Sequence, residues 1–518
     1  MDFKPTLRFE AGSEDAHGHT HQSIEAVLEE LGFHSGERQA TYFGNWLRDY
    51  SQVIDPKLVR APDMPKEFPT VLSRQAWTDL VDVLAVKKFQ ELREGNPNHM
   101  KVTTAKLGVY VPAEHIDNPL AIDPPFPDPT VRDPDFQPWV LPGDPVLDVN
   151  PDTSMKRYIS SAIDYMNQQL EVAKFGKRSL KGLRSFGAAL HVVEDLFAHS
   201  NFAELALIKA GHKDVLPWTT PVEATHALAL VTGTFGGSDI IASLASPLGR
   251  ILYSTKELEF ELTQVEYRSD RDKVMLIMLS EHPDQDYYRA FNALLSARDQ
   301  MVVLAQKAGI DTVRFYRWLL ATPAGIVLNA YNTAAQSVLT WIGNSVDDAQ
   351  LALGSDPNTD PGVEPSHSQL SKDHAEHPLH DLTARLATEA VRQVAQAIID
   401  HWEGNPDADP VAVASSFFCH PEDSEWQDAI VEAWAAEHPE QIKRAESKSD
   451  LDQVHQQAVA ELTSIHDQMI HDSEQFLDYL FNSQDELPTG FQGYAEQAFM
   501  TLLSNTQWGQ ALLSLVKE

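Results

Sequence analysis

Apolar residues recur along this chain at the three-to-four-residue spacing of helices buried on one face. "HQSIEAVLEELGF", "RQATYFGNWLRDYSQVI" and "SRQAWTDLVDVLAVKKFQEL" succeed one another near the start, and each sets its apolar positions on one side of a helix. The spacing returns in "SMKRYISSAIDYMNQQLEVAKF" and "KGLRSFGAALHVVEDLFAHSNFAELALIKAG". It returns again in the last third, from "HDLTARLATEAVRQVAQAIIDHW" to "GYAEQAFMTLLSNTQWGQALLSLV". Strand-like alternation is nearly absent, so the expected fold is all-α. Residues 96–150 break the pattern with proline and aspartate, as in "DPPFPDPTVRDPDFQPWVLPGDP". Such density of proline excludes regular helix or a central strand. A loop of that length either walls an active site or is a surface excursion. The pattern suggests a helical core over 1–353, a linker with a His-rich motif over 354–384, and a further helical region over 385–518.

Two stretches carry few charges: "HALALVTGTFGGSDIIASLASPLGRILY", residues 226–253, and "WLLATPAGIVLNAYNTAAQSVLTWIGNS", residues 318–345. Their small residues suit close helix packing, in a core or in lipid. Polar residues and proline interrupt both, so neither is a continuous membrane span. They are read either as buried core helices or as segments that meet a membrane after a conformational change.

Charge narrows the partners. A net charge of -36 over 518 residues repels nucleic acid phosphates, so a protein that grips a nucleic acid backbone is not expected. Anionic lipid is repelled too unless a local patch or a divalent ion offsets the charge. With one cysteine, Cys419, the chain can form neither an internal disulfide framework nor a thiolate-rich zinc cluster. Any metal has to be held by histidine and carboxylate. The segment "MDFKPTLRFEAGSEDAHGHTH" lacks the apolar stretch of a Sec-type signal peptide, so synthesis in the cytoplasm is expected, with any export by a specialised route.

The chemistry concentrates in "LHVVEDLFAHSNF". His191, Asp195 and His199 fall at i, i+4 and i+8, drift by only about 40° per step, and share one helix face. Imidazole and carboxylate converging this way suit a divalent cation, with Asp195 able to bridge two ions. The plainer reading has two core histidines and an aspartate paired to an arginine such as Arg184. Glu194 lies about 100° round from Asp195, in a supporting or surface position. Further His/Asp clusters occur in "HGHTH", "RDYSQ" and "EPSHSQLSKDHAEHPLH".

These residues resemble the zinc-dependent phospholipase C and single-strand nuclease superfamily, a helical fold with two or three zinc ions in a cleft. By that resemblance "THQSIEAVLEEL" points to His21, "GNWLRDYSQ" to Asp49, and "EHIDNP" to His115, beside His191, Asp195 and His199. The His-x3-Glu partner of that family has no clean copy here. Glu204 is one candidate for it, and the His367–His374 cluster, with both histidines as ligands, is the other. The set "FGNWLRDYSQ", "EHIDNP", "HVVEDLFAHSNF", "VTGTFGG" and "SHSQLSKDH" resembles the Het-C-type heterokaryon incompatibility proteins over roughly residues 20–390.

The resemblance implies a zinc-dependent phosphodiester hydrolase acting on membrane phospholipid as a toxin or effector. Asp49 and Asp195 would be its catalytic carboxylates, and two or three Zn2+ its cofactor. It leaves room for an immunity or delivery partner. Two other readings stay open: a membrane-inserting cell-death protein whose metals are structural, and a single-strand nuclease.

Overall fold

The computed structural model describes residues 19–68, 71–119, 121–122, 127–235, 238–253, 268–307 and 356–481. Helix dominates them, and the only strands among the described residues are β1 (Val149–Asn150) and β2 (Met155–Lys156), an antiparallel pair. The all-α expectation holds. The chain divides into two units. The first gathers residues up to Pro56, Ala85–Ser243 and Ser345–Glu461; the second gathers Lys57–Leu84, Leu244–Asn344 and Leu462–Glu518.

The first unit is built from α1 (His21–Ile24), α2 (Ser35–Ser51), α3 (Ile159–Gly176), α4 (Leu180–His199), α5 (Phe202–Lys209), α6 (His367–Leu370) and α7 (His380–Trp402). Helix α4 is central and packs against α2, α3 and α7. Its first turn is capped by the Ser179 hydroxyl, which accepts from the Gly182 N–H at 3.2 Å; such a cap contributes about 1 kcal/mol. From Ser185 to His199 every residue is buried. Phe186, Leu190, Leu196 and Phe197 are wholly enclosed, and each contributes roughly 1.5–3 kcal/mol of hydrophobic stabilisation. The crossing of α2 and α4 depends on two glycines. A Cβ on Gly44 would lie 1.9 Å from the Arg184 carbonyl oxygen, and one on Gly187 would lie 1.8 Å from that of Thr41. This close approach brings the polar face of α2 against His191. Helix α7 lies in this unit and packs on α4.

Two of the expected helices are broken at a buried polar side chain. The 21–33 stretch forms α1 and a second short helix, Val27–Glu30, because Glu25 between them turns inward to Asn45. The 181–211 stretch breaks at Ser200–Asn201 between α4 and α5. There the Asn201 side chain donates to the Pro217 and Ala229 carbonyls and accepts from the Val231 N–H.

The weakly charged 226–253 stretch divides. Ala229–Gly233 is extended and buried in the first unit, whereas Ser238–Tyr253 is a helix with Pro247 inside it. No described helix is long and apolar enough to cross a membrane. The 318–345 stretch lies outside the described residues. In the second unit, Glu281 at the end of the helix Asp270–Glu281 accepts from the Ser73 N–H, the Ser73 hydroxyl and Arg60.

Candidate metal centre

The first unit brings His21, Asp49, His115, His191, Asp195, His199 and His367 together. They come from α1, α2, the 101–118 loop, α4 and α6, so most of the expected ligand set converges although it is scattered along the chain. Two ligand groups form. In one, His21, His191 and Asp195 place ligand atoms within 4.8 Å of one another; in the other, Asp117, His199 and His367 do so.

Asp195 joins them. Its Oδ1 lies 3.7 Å from His21 Nε2. Its Oδ2 lies 3.0 Å from His191 Nε2, 3.7 Å from His199 Nδ1 and 3.9 Å from His115 Nδ1. His21 Nε2 is also 3.8 Å from Asp49 Oδ1. Most of these separations are too long for hydrogen bonds. They are close to the roughly 3.4 Å between donor atoms that share a tetrahedral ion at about 2.1 Å. Both Asp195 oxygens and His199 Nδ1 are buried without a hydrogen-bond partner. A carboxylate left so costs several kcal/mol unless a cation compensates it. The arginine partner of the plainer reading is not there: all of the Asp195 ion-pair partners are histidines. The donor set therefore fits divalent metal.

The electrostatics agree. Burial opposes a charge on His21, but Asp49, Glu194 and Asp195 outweigh it and hold its pKa up at about 10. Burial would raise Asp195, but His191, His199 and His21 keep it well below the usual carboxylate range. Burial pushes His191 down to about 4 and His115 well below its ordinary value. Without an ion, the surrounding carboxylates keep a proton on His21; a metal would displace it.

Several further polar residues support the ligands. Asp373 accepts from His199 Nε2–H at 3.0 Å and from the Ser371 hydroxyl at 2.7 Å. That turns the His199 Nδ1 lone pair toward Asp195. Asp117 receives the Tyr110 hydroxyl at 3.0 Å and lies 3.4 Å from His367 Nδ1. Between His115 and Asp117, the buried β-branched Ile116 sits at φ 54. This strained conformation lets two residues so close in sequence serve different groups. Part of the Pro/Asp-rich region is thus a wall of the site, while much of 127–150 is exposed or half-buried. Glu194 accepts from His21 Nδ1, fixing it in a supporting position rather than a surface one.

The segment Ala229–Phe235 is the template for the second group. Gly233 donates to the His199 carbonyl and accepts from the Asn118 N–H, and Thr234 pairs with Pro365 and His367. The residues read as a membrane-contact motif therefore hold the carriers of Asp117, His199 and His367 in register.

Two candidates fall elsewhere. Glu204 is buried in an ion pair with Lys372 at 2.9 Å and belongs to neither group. Lys372 also donates to the Ser200 and Leu370 carbonyls, so the pair clamps the His367 segment to the end of α4. His374 is half-buried and is likewise in neither group.

The profile described as heterokaryon incompatibility protein Het-C matches residues 11–314. The chain belongs to the Het-C family. No curated protein and no solved structure matches it. The matched span of this Het-C protein includes His21, Asp49, His115, Asp117, His191, Asp195 and His199. His367 and Asp373 come from the chain beyond it, so the second group draws on residues outside the family match.

Proposed function

We propose that this Het-C protein is a divalent-metal-dependent phosphodiester hydrolase directed at phospholipid. The observation that carries the reading is Asp195, a buried carboxylate without hydrogen-bond donors, shared by two histidine–carboxylate groups. His21, His191 and Asp195 would hold one ion, with Asp49 and His115 beside them; Asp117, His199 and His367 would hold the other, with Asp195 between. Zinc bound there supplies Lewis acidity and an acidified water. Asp49, with 15% of its side chain exposed, stands where a proton can pass between the site and solvent, which suits a general base. His21, His191 and His199 keep one ring nitrogen turned inward because other groups engage the opposite nitrogen. The exclusion of water around Asp195 strengthens each of these interactions. The test is zinc content of the purified protein together with turnover of phosphatidylcholine, with and without chelator. Metal-dependent turnover lost in Asp195→Asn supports the reading; metal-free protein without turnover removes it.

Burial favours one rival. His191 and Asp195 are completely enclosed, as expected of an ion that staples helices in a membrane-active protein. Liposome leakage by a folded His191→Ala, Asp195→Ala protein would favour that reading, and leakage lost together with lipid hydrolysis would oppose it.

A further inference from the structure

Asn45 sits wholly buried in the middle of α2, within the apolar run "YFGNWL". A side chain that makes no direct contact with a ligand carboxylate would serve the core better as leucine. Its amide instead makes three hydrogen bonds. Nδ2 donates to Glu25 Oε1 at 2.8 Å and to Glu194 Oε2 at 3.0 Å, and Oδ1 lies 3.0 Å from His191 Nδ1.

The direction of these bonds is set by chemistry. Carboxylates offer acceptors, so the amide nitrogen has to face Glu194 and Glu25. The amide oxygen is then left for His191, which must present Nδ1–H. The His191 lone pair is therefore on Nε2, the atom 2.9 Å from His115 Nδ1 and 3.0 Å from Asp195 Oδ2. On the other arm, the same Glu194 oxygen that Asn45 holds accepts from His21 Nδ1. This turns His21 Nε2 toward Asp195 and Asp49.

We propose that Asn45 is a positioning residue: one amide sets the tautomer of His191 and, through Glu194, the ring direction of His21, so that both Nε2 atoms converge on Asp195. The proposal rests on the metal reading of the site and names the residue that pre-organises it. Neither aspartate nor leucine can replace it. Aspartate keeps an acceptor for His191 but puts a third carboxylate beside Glu25 and Glu194, and leucine serves neither arm.

The experiment compares full-length wild type with Asn45→Ala, Asn45→Asp and a control, Thr41→Ala, which truncates a buried side chain one turn away on α2. Zinc affinity is read by competition with a chromophoric chelator, folding by circular dichroism and urea unfolding. The His191 tautomer is read by nitrogen-15 spectra of the metal-free protein. Removing a side chain that orients a ligand weakens metal binding by roughly 10–100-fold. That loss is expected in Asn45→Ala but not in Thr41→Ala, with the Nδ1–H form of His191 lost in Asn45→Ala alone. Folded Asn45→Ala with wild-type affinity and an unchanged tautomer overturns the proposal. Should that variant not fold, Asn45→Asp decides: reduced affinity with the tautomer retained supports the Glu194 arm, and wild-type affinity refutes it. Wild type that binds no zinc refutes the metal reading, and the tautomer measurement still tests the role of Asn45.

Discussion

Gly233→Ala provides a direct test of the extended clasp. A Cβ at this position would lie 2.5 Å from His367 Cα, 2.8 Å from its nitrogen and 2.9 Å from the Ser366 carbonyl oxygen. Ordinary contact begins near 3.4 Å, so backbone must retreat by about 1 Å, and no flexible side-chain tip is there to yield instead. Two hydrogen bonds hold that backbone: His367 N–H to the Thr234 carbonyl at 2.8 Å, and Thr234 N–H to the Pro365 carbonyl at 2.9 Å. Losing them costs about 1 kcal/mol each, and the overpacking adds roughly 1–3 kcal/mol. The expected destabilisation is therefore about 3–5 kcal/mol. A displacement of about 1 Å also exceeds the roughly 0.5 Å within which a ligand site must be held. Bound zinc per chain should fall to the level of His367→Ala, and the urea midpoint should fall with it. A Gly233→Ala protein with wild-type midpoint and zinc content would refute the assignment of this segment as the template of the second group.

Lys372→Met should destabilise by about 3–5 kcal/mol, because it leaves Glu204 buried without its cation; chemical unfolding should show much of the loss recovered in Lys372→Met, Glu204→Leu. His420 gives a pH test: Nε2–H donates to the Leu228 carbonyl, Nδ1 accepts from the Glu422 N–H, and burial holds the pKa down at about 4. The unfolded imidazole, near 6.5, binds a proton that the folded one refuses, so stability is full above about 6.5 and declines toward 4. Urea unfolding should show the advantage of wild type over His420→Asn shrinking by about 1–3 kcal/mol across that window; an advantage that grows as pH falls would contradict the assignment. Chelator should lower the thermal midpoint of wild type and leave that of Asp195→Asn nearly unmoved, as scanning calorimetry can show.

Much of this architecture can be read from spacing, and the remainder depends on tertiary crossings. His191, Asp195 and His199 share a face because helical geometry requires it, and α4 places them as their spacing implies. Asp117 and Asn45 carry no such signal: each acquires its role from a segment distant in sequence. The available hint for Asn45 was a polar residue inside an apolar run, and for Glu194 a second acid on a helix buried all round. Glu204 is a ligand candidate by its nearness to His199 in sequence, but Lys372, far along the chain, neutralises it. The glycines of "VTGTFGG" are equally compatible with lipid contact and with close backbone packing, and only the position of His367 beside Gly233 separates the two for that residue.

The arrangement of the two groups bears on how the protein is made. His21, His191 and Asp195 have all left the ribosome while His367 is still to be translated, and domains begin to fold as they emerge. The second group stays open until the segment carrying His367 and Lys372 docks against the end of α4. Completion of the paired site is thereby tied to late synthesis.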